Sequence, residues 1–154
     1  MELSTRQHFA QWRAGAKVFR GWARGASGST AEGLAWIDGA IADWRALGSA
    51  LVVPYRLALK AEALHLADRL PEALKAIRDV EALAENSGEC WWSAELHRLR
   101  GAFLAAMGAN ETEVELAFHE AIRIARQQKS VYLLKRAQVS HASHGHGRGG
   151  GRRG

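Results

Sequence analysis

A recurring spacing of about 40 residues between small side chains, a length typical of helical repeats, is the feature that most constrains the fold of this chain. Gly21, Ala61 and Gly101 follow one another at this interval, and each comes directly after a basic residue. Two further sets of small or apolar residues recur with spacings of 40 and then 41 residues. The first set is Gly33, Ala73 and Val114, and the second is Ala40, Val80 and Ala121. Small residues at a shared register let neighbouring helices approach closely, so the spacing indicates a repeated helical hairpin.

Helix-forming residues dominate the chain, and proline occurs only at Pro54 and Pro71. We therefore expect helix as far as about Ala137, in six helices and part of a seventh. The predicted breaks are residues 25–30, 48–53, 69–71, 86–89 and 108–110. Three helix-start signals predict helices beginning near 30, 71 and 111. They are the capping pair Ser29 and Glu32, the proline Pro71, and the capping pair Asn110 and Glu113.

The small residues that mark the two helices of each hairpin resemble the tetratricopeptide repeat in a longer version. Four segments resemble more closely the C-terminal repeat region of large bacterial signalling ATPases, which are often fused to nucleotide-cyclase or DNA-binding domains. These segments are RGWA at 20–23, PYRLAL at 54–59, WWSAELHRLRG at 91–101 and AFHEAI at 117–122. The likeness covers roughly residues 3–135.

This resemblance implies an all-α fold, a right-handed α-solenoid of about three hairpins and a partial fourth, over residues 1–137. It implies a non-catalytic, regulatory scaffold without a cofactor. The implied partner is a protein or peptide, or the ATPase or cyclase domain. In such stacks the first helices line a concave face. The positions expected on that face are Val18, Trp22, Tyr55, Glu62, His65, Glu95 and Arg98. A basic column is expected from three residues that share one register, Arg20, Lys60 and Arg100. This column could contact an acidic partner or only solvent, and both alternatives stay open.

The two ends are expected to depart from the family, with no ATPase or cyclase domain before Met1 and a seventh helix that stops short. Residues 138–154 are rich in His, Gly and Arg, with Gly at six of the last ten positions, and are expected to be a disordered tail. We expect a fragment of a longer protein, whose uncapped end hairpins favour oligomerisation. Trp12, on the first helix, is expected to be partly exposed.

Charge separates the body from the tail. Residues 1–128 hold 15 basic and 16 acidic groups, a net charge of −1, whereas residues 129–154 hold six basic groups and no acidic one. The alternative function is therefore a nucleic-acid-associated protein that uses its Arg/Gly tail, although the tail has no aromatic residues for base stacking. His141, His144 and His146 predict only adventitious metal affinity, so no metal site is expected.

Motif searches give no support for catalysis. The sequence lacks a dinucleotide-binding glycine pattern, a phosphate-binding loop and a His-Glu-x-x-His zinc motif. Cys90 is the only cysteine and, beside Trp91 and Trp92, is expected to be packed rather than reactive. No apolar run fits a secretory signal or a membrane span, so the expected compartment is the cytoplasm.

Overall fold

The structure is a computed structural model that describes residues 2–46, 53–87 and 91–149, with side chains described from Ala10 onward except at 11, 53–54, 84–87 and 146–149. It contains seven α-helices within these ranges: α1 (Glu2–Ala26), α2 (Thr30–Ala46), α3 (Val53–Leu66), α4 (Leu70–Ser87), α5 (Ser93–Ala106), α6 (Glu111–Gln127) and α7 (Val131–Gly149). No strand occurs in the described residues. The all-helical prediction is confirmed.

Two compact units make up the chain, Met1–Ala76 and Ile77–Gly154, and the division falls within α4. In the first unit α1 packs against α2, and α3 packs against both of them. In the second unit α5 packs against α6, and α7 packs against both. Each unit therefore contains a helical hairpin with a third helix on it, which is an efficient way to bury the apolar stripes of short helices.

The turns that join consecutive helices repeat with the same spacing as the small residues. Gly28, Asp68 and Gly108 follow one another at that interval, and all have left-handed backbone conformations, with φ of 100°, 57° and 67°. In each turn the next amide donates to the carbonyl five residues earlier: Ser29 to Arg24 at 3.0 Å, Arg69 to Leu64 at 2.9 Å and Ala109 to Leu104 at 3.0 Å. This pattern is the Schellman motif, which satisfies the last carbonyls of a helix and ends it.

The turn between α6 and α7 follows the same pattern with a lysine at the left-handed position. Lys129 has φ 53°, and the Ser130 amide donates to the Ala125 carbonyl at 3.0 Å. A non-glycine residue in this conformation costs roughly 1–2 kcal/mol, because its Cβ crowds the following carbonyl. Asp68 and Lys129 thus occupy turn positions without being glycine. Searching the sequence for glycine and proline as helix breakers did not predict these positions.

The predicted helix starts are confirmed at three places. Helix α2 begins directly after Ser29, and α4 has Pro71 in its first turn. Before α6, the Asn110 side chain accepts a hydrogen bond from the Thr112 amide at 2.9 Å. The predicted breaks at 48–53 and 86–89 fall mainly outside the described residues, as does Cys90, although α4 itself runs to Ser87.

All nine small or apolar residues that define the three registers are buried. The closest approach is between Gly21 of α1 and Gly33 of α2, where a Cβ added to either residue would lie 2.6 or 2.4 Å from the other's carbonyl oxygen. In the second unit Gly101 packs directly against the ring of Phe118, which is itself fully buried. Only glycine fits where two helix backbones are in contact.

The inner face of α2 is formed by Ile37, Ala40, Ile41 and Trp44, all of which are buried as the helical periodicity predicts.

Helix α3 contributes a feature that the sequence did not reveal, the buried arginine Arg56. The guanidinium carbon of Arg56 lies 3.6 Å from the centroid of the Trp44 ring. Burial lowers the pKa of Arg56 to about 10. An aromatic face is a favourable contact for a desolvated cation.

The prediction of disorder from residue 138 is wrong for residues 138–149, because α7 continues to Gly149. The helix persists there because it packs on α6, where the rings of His141 and His144 lie 5.5 and 6.0 Å from the ring of Phe118. Trp12 is 78% exposed, as expected. Among the described residues, no helix has both the length and the apolar character needed to cross a membrane.

Candidate partner-binding groove

The five predicted groove residues of the first unit differ in their exposure. Trp22, Tyr55, Glu62 and His65 are half-buried, so each retains surface that a ligand could contact. Val18 is only 1% exposed, and its assignment to a binding face is wrong. Its side chain belongs to the core, because α2 and α3 both pack on α1.

Tyr55 forms an aromatic pair with an exposed neighbour on the first unit. The rings of Phe19 and Tyr55 lie 6.1 Å apart, and Phe19 is exposed. Aromatic pairs at this separation interact favourably with each other and present a rigid apolar surface. The role of Tyr55 on a binding face stays a prediction.

The three residues of the predicted basic column are each close to a group within their own unit. Arg20 lies over the Trp36 ring at 5.0 Å, Lys60 pairs with Asp38 at 2.7 Å, and Arg100 pairs with Glu81 at 3.5 Å. Arg20 and Lys60 belong to the first unit and Arg100 to the second. The column itself stays a prediction, and these ion pairs, which are partly exposed, contribute little to stability.

Glu95 and Arg98 form a buried ion-pair network on α5. Glu95 is 5% and Arg98 9% exposed, and the guanidinium donates to both carboxylate oxygens at 2.8 and 2.9 Å. Arg136 of α7 also pairs with Glu95, at 2.8 Å, and Arg98 donates to the Ser140 hydroxyl at 3.2 Å. The expectation that Glu95 faces an open groove needs correction, because α7 covers it, whereas Arg98 lines a groove of the second unit. One carboxylate shared by two arginines fixes the register of α5 against α7.

A groove of about 340 Å³ lies on the second unit beside this network. It is lined by Arg98, Tyr132, Lys135, Arg136, Val139 and Ser140. Three of these six side chains are cations, and Glu95 is the carboxylate in contact with two of them. Tyr132 is 62% and Val139 57% exposed, so apolar surface flanks the positive charge. This combination can accept a carboxylate together with an apolar side chain.

The arginine and tyrosine of the groove hold each other in place. The Arg136 guanidinium carbon lies 5.7 Å from the centroid of the Tyr132 ring, and Arg136 also donates to the Tyr132 hydroxyl at 3.0 Å. The two residues are four apart, the spacing that places side chains on one face of a helix. An ordered aromatic residue beside a fixed guanidinium reduces the entropy that binding must overcome. The sequence did not predict these α7 residues, because all the expected groove positions lay in the first three hairpins.

The tail histidines are also placed differently from the expectation. His141 and His144 lie on α7, where their rings are 5.5 and 6.0 Å from the ring of Phe118. His141 Nε2 is 2.7 Å from Glu115, and His144 Nε2 is 3.2 Å from Glu111. The carboxylates come from α6, well upstream in the sequence, which is why the sequence around the histidines did not predict them. The side chain of His146 lies outside the described residues.

Comparisons with known proteins identify a relative without establishing a family. No protein-family model matches the chain. No solved structure matches it significantly. Over 123 residues, 80% of the chain, it is 30% identical to an uncharacterized protein of Rhizobium meliloti (strain 1021). The chain spans 12% of the length of that relative.

Proposed function

We propose that this chain is a tetratricopeptide-like interaction module that binds a protein or peptide segment and has no catalytic role of its own. The observation that carries the proposal is the identical Schellman turn at Gly28, Asp68 and Gly108. The burial of all nine register residues at the same spacing supports the same repeat. Recurrence of both the turn and the core contacts is typical of a solenoid built from one hairpin.

The proposed architecture is a right-handed α-solenoid with three hairpins, α1/α2, α3/α4 and α5/α6, and with α7 as the first helix of a fourth. First helices line the concave face in this architecture. The groove between α5 and α7 then lies on that face. Its cations and exposed apolar side chains favour a segment that carries acidic and apolar residues, because complementary charge steers binding and apolar anchors supply most of its energy.

The proposed setting is a cytoplasmic signalling protein of bacteria, in which the module regulates an ATPase or cyclase domain. Support comes from the likeness of residues 3–135 to the repeat region of such proteins. The relative in Rhizobium meliloti (strain 1021) is also much longer than this chain, which spans 12% of it. A module of this kind would act by holding or releasing a segment of its own or a neighbouring protein.

A fluorescence-anisotropy titration tests the binding proposal. The probe is a labelled dodecapeptide of alternating Glu and Leu, compared with the same peptide in which Gln replaces Glu. We expect the acidic peptide to bind at least about tenfold more tightly, a difference of about 1.4 kcal/mol. The preference should weaken as salt is raised, because exposed charges are screened.

Two charge reversals provide the matched comparison. Lys135→Glu changes a groove cation, whereas Arg126→Glu changes an exposed cation of α6 that does not line the groove. We expect Lys135→Glu to abolish the preference for the acidic peptide and Arg126→Glu to leave it within about twofold. Equal binding of the acidic and neutral peptides by the unmodified protein, or equal losses in the two variants, would contradict this site.

A further inference from the structure

Helices α6 and α7 bring together one carboxylate and two imidazoles at the surface of the second unit. Glu115 and His119 are four residues apart on α6 and therefore share a face of that helix. His141 reaches them from α7. Its Nε2 lies 2.7 Å from Glu115 Oε2, and His119 Nε2 lies 3.6 Å from the same oxygen.

The spacing of these three groups suits a small divalent cation. One ligand atom from each of Glu115, His119 and His141 lies within 4.8 Å of the other two. Zinc binds imidazole nitrogen and carboxylate oxygen at about 2.0–2.2 Å, so ligand atoms in a tetrahedral site are roughly 3.4 Å apart. The observed separations of 2.7 and 3.6 Å lie on either side of that value. Rotation of the exposed His119 side chain and a small shift of Glu115 would complete the geometry.

Packing holds the imidazole of His141 in this position. Its ring lies 5.5 Å from the ring of Phe118, which is fully buried between the helices. The ring of His119 meets it edge-on, with centroids 5.2 Å apart. A metal site gains affinity when its ligands are oriented by their surroundings before the ion arrives.

We propose that Glu115, His119 and His141 form a binding site for a divalent cation of the zinc class. Two imidazoles and one carboxylate are ligands that Zn²⁺ and its transition-metal neighbours prefer, whereas Ca²⁺ and Mg²⁺ require oxygen ligands. The side chain of His119 is 64% exposed, so water has access to the remaining coordination position. The site is independent of the proposed peptide groove.

A second set of potential ligands shares Glu115. Glu111, Glu115 and His144 also lie within the same distance limit of one another. This set contains one imidazole rather than two, and a zinc-class ion binds imidazole more strongly than a second carboxylate. The site with His119 and His141 is therefore the one that the ligand chemistry favours, and His144 becomes the variant that distinguishes the two.

Metal binding at this site would join α6 to α7 through a bond stronger than the present hydrogen bond. His141 lies in the part of α7 beyond Ala137, so the ion would fasten that part of the helix to the hairpin. A ligand that binds only the folded state stabilises it in proportion to the logarithm of its concentration. Zn²⁺ should consequently raise the melting temperature of the second unit.

Isothermal titration of the metal-free full chain with ZnCl₂ tests the proposal, with circular dichroism to confirm that each variant is folded. We expect one equivalent of Zn²⁺ to bind with a dissociation constant at or below about 1 µM. His119→Ala removes an exposed ligand and should weaken binding about 100-fold or more, beyond the usual effect of losing an outer partner. Glu115→Gln keeps the shape of the carboxylate and should weaken it similarly.

Two further variants make the result decisive. His146→Ala should leave the affinity unchanged, because His146 is not one of the proposed ligands. If a flexible run of His141, His144 and His146 chelated the ion instead, this variant would lose affinity. His144→Ala should also have little effect. Loss of binding in either of these variants with retention in His119→Ala would overturn the proposed ligand set. Absence of binding to the unmodified protein, or no change in the visible spectrum of added Co²⁺, would overturn the site altogether.

Discussion

Replacing Gly33 with alanine tests the close contact between α1 and α2. A Cβ at this position would lie 2.4 Å from the Gly21 carbonyl oxygen, 2.7 Å from the Gly25 nitrogen and 3.0 Å from the Gly25 Cα. All three neighbours are backbone atoms, so no side-chain rotation relieves the overlap. Ordinary contact begins at about 3.4 Å, and the two helices must therefore separate by about 1 Å locally.

Two opposing effects determine the magnitude. Alanine is favoured over glycine inside a helix by up to about 1 kcal/mol. Overpacking of a well-packed contact costs typically about 1–3 kcal/mol, and the upper end applies here because the overlap involves two backbones. We expect Gly33→Ala to lower the free energy of unfolding by about 2 kcal/mol. Gly39→Ala is the matched control, since Gly39 is exposed on the same helix and its added Cβ meets nothing within 4 Å.

The assay is urea unfolding followed by circular dichroism and by tryptophan emission, to which Trp22, Trp36 and Trp44 of the first unit contribute. Gly39→Ala should raise the free energy of unfolding by about 0.5–1 kcal/mol, so the two variants should differ by about 3 kcal/mol. With a typical urea dependence of about 1.5 kcal/mol per molar, their midpoints should lie about 2 M apart. If Gly33→Ala were as stable as Gly39→Ala, the backbone contact between α1 and α2 would not exist as described.

Three further predictions concern the second unit, each measured by urea unfolding of the variant beside the unmodified chain. Lys129→Gly should stabilise the second unit by about 1 kcal/mol, and Gly108→Ala should destabilise it by about 1 kcal/mol, because both residues have positive φ. If the two variants changed stability in the same direction, the turn geometry would be refuted. Glu95→Gln should destabilise the second unit by about 3 kcal/mol, since the buried Arg98 loses its charge partner, and a neutral result would argue against the network. Burial lowers the pKa of the half-buried His97 below the usual 6.5, so the unfolded chain binds more protons. Stability should therefore fall as pH drops from 7 through about 6.5 toward the folded pKa, and His97→Gln should flatten that part of the pH profile.

Local signals in the sequence account for the parts of the fold that were predicted correctly. Asn110 accepts a hydrogen bond from a first-turn amide and Pro71 has no amide hydrogen to satisfy. Helices α2, α4 and α6 begin within one residue of the predicted positions. The small residues at Gly21 and Gly33 predicted close helix packing, because their effect depends only on size. Lys129 could not be found in this way, since its left-handed conformation is imposed by the turn rather than favoured by its side chain. Asp68 tolerates that conformation better, but a single aspartate is too common to predict a turn.

The candidate sites depended on contacts that the local sequence does not reveal. Glu95 was expected to face an open groove, but Arg136 covers it from a helix far downstream in the sequence. Composition predicted disorder after Ala137, whereas packing on α5 and α6 overrides the weak helix propensity of that segment. The proposed cation site was not predicted from the sequence, because Glu115 is supplied by α6 and the Glu115–His119 spacing was the only local signal.

The recurring turn also has a consequence for how the chain can be cut and rejoined. Since Gly28, Asp68 and Gly108 occupy the same place in the same local hydrogen-bond pattern, each turn is specified by its own few residues. Deleting residues 29–68, which joins Gly28 to Arg69, would leave one complete turn between α1 and α4 and keep every later helix in register. Under the proposed repeat architecture, in-frame recombination at Gly28, Asp68 and Gly108 would change the number of hairpins in steps of about 40 residues.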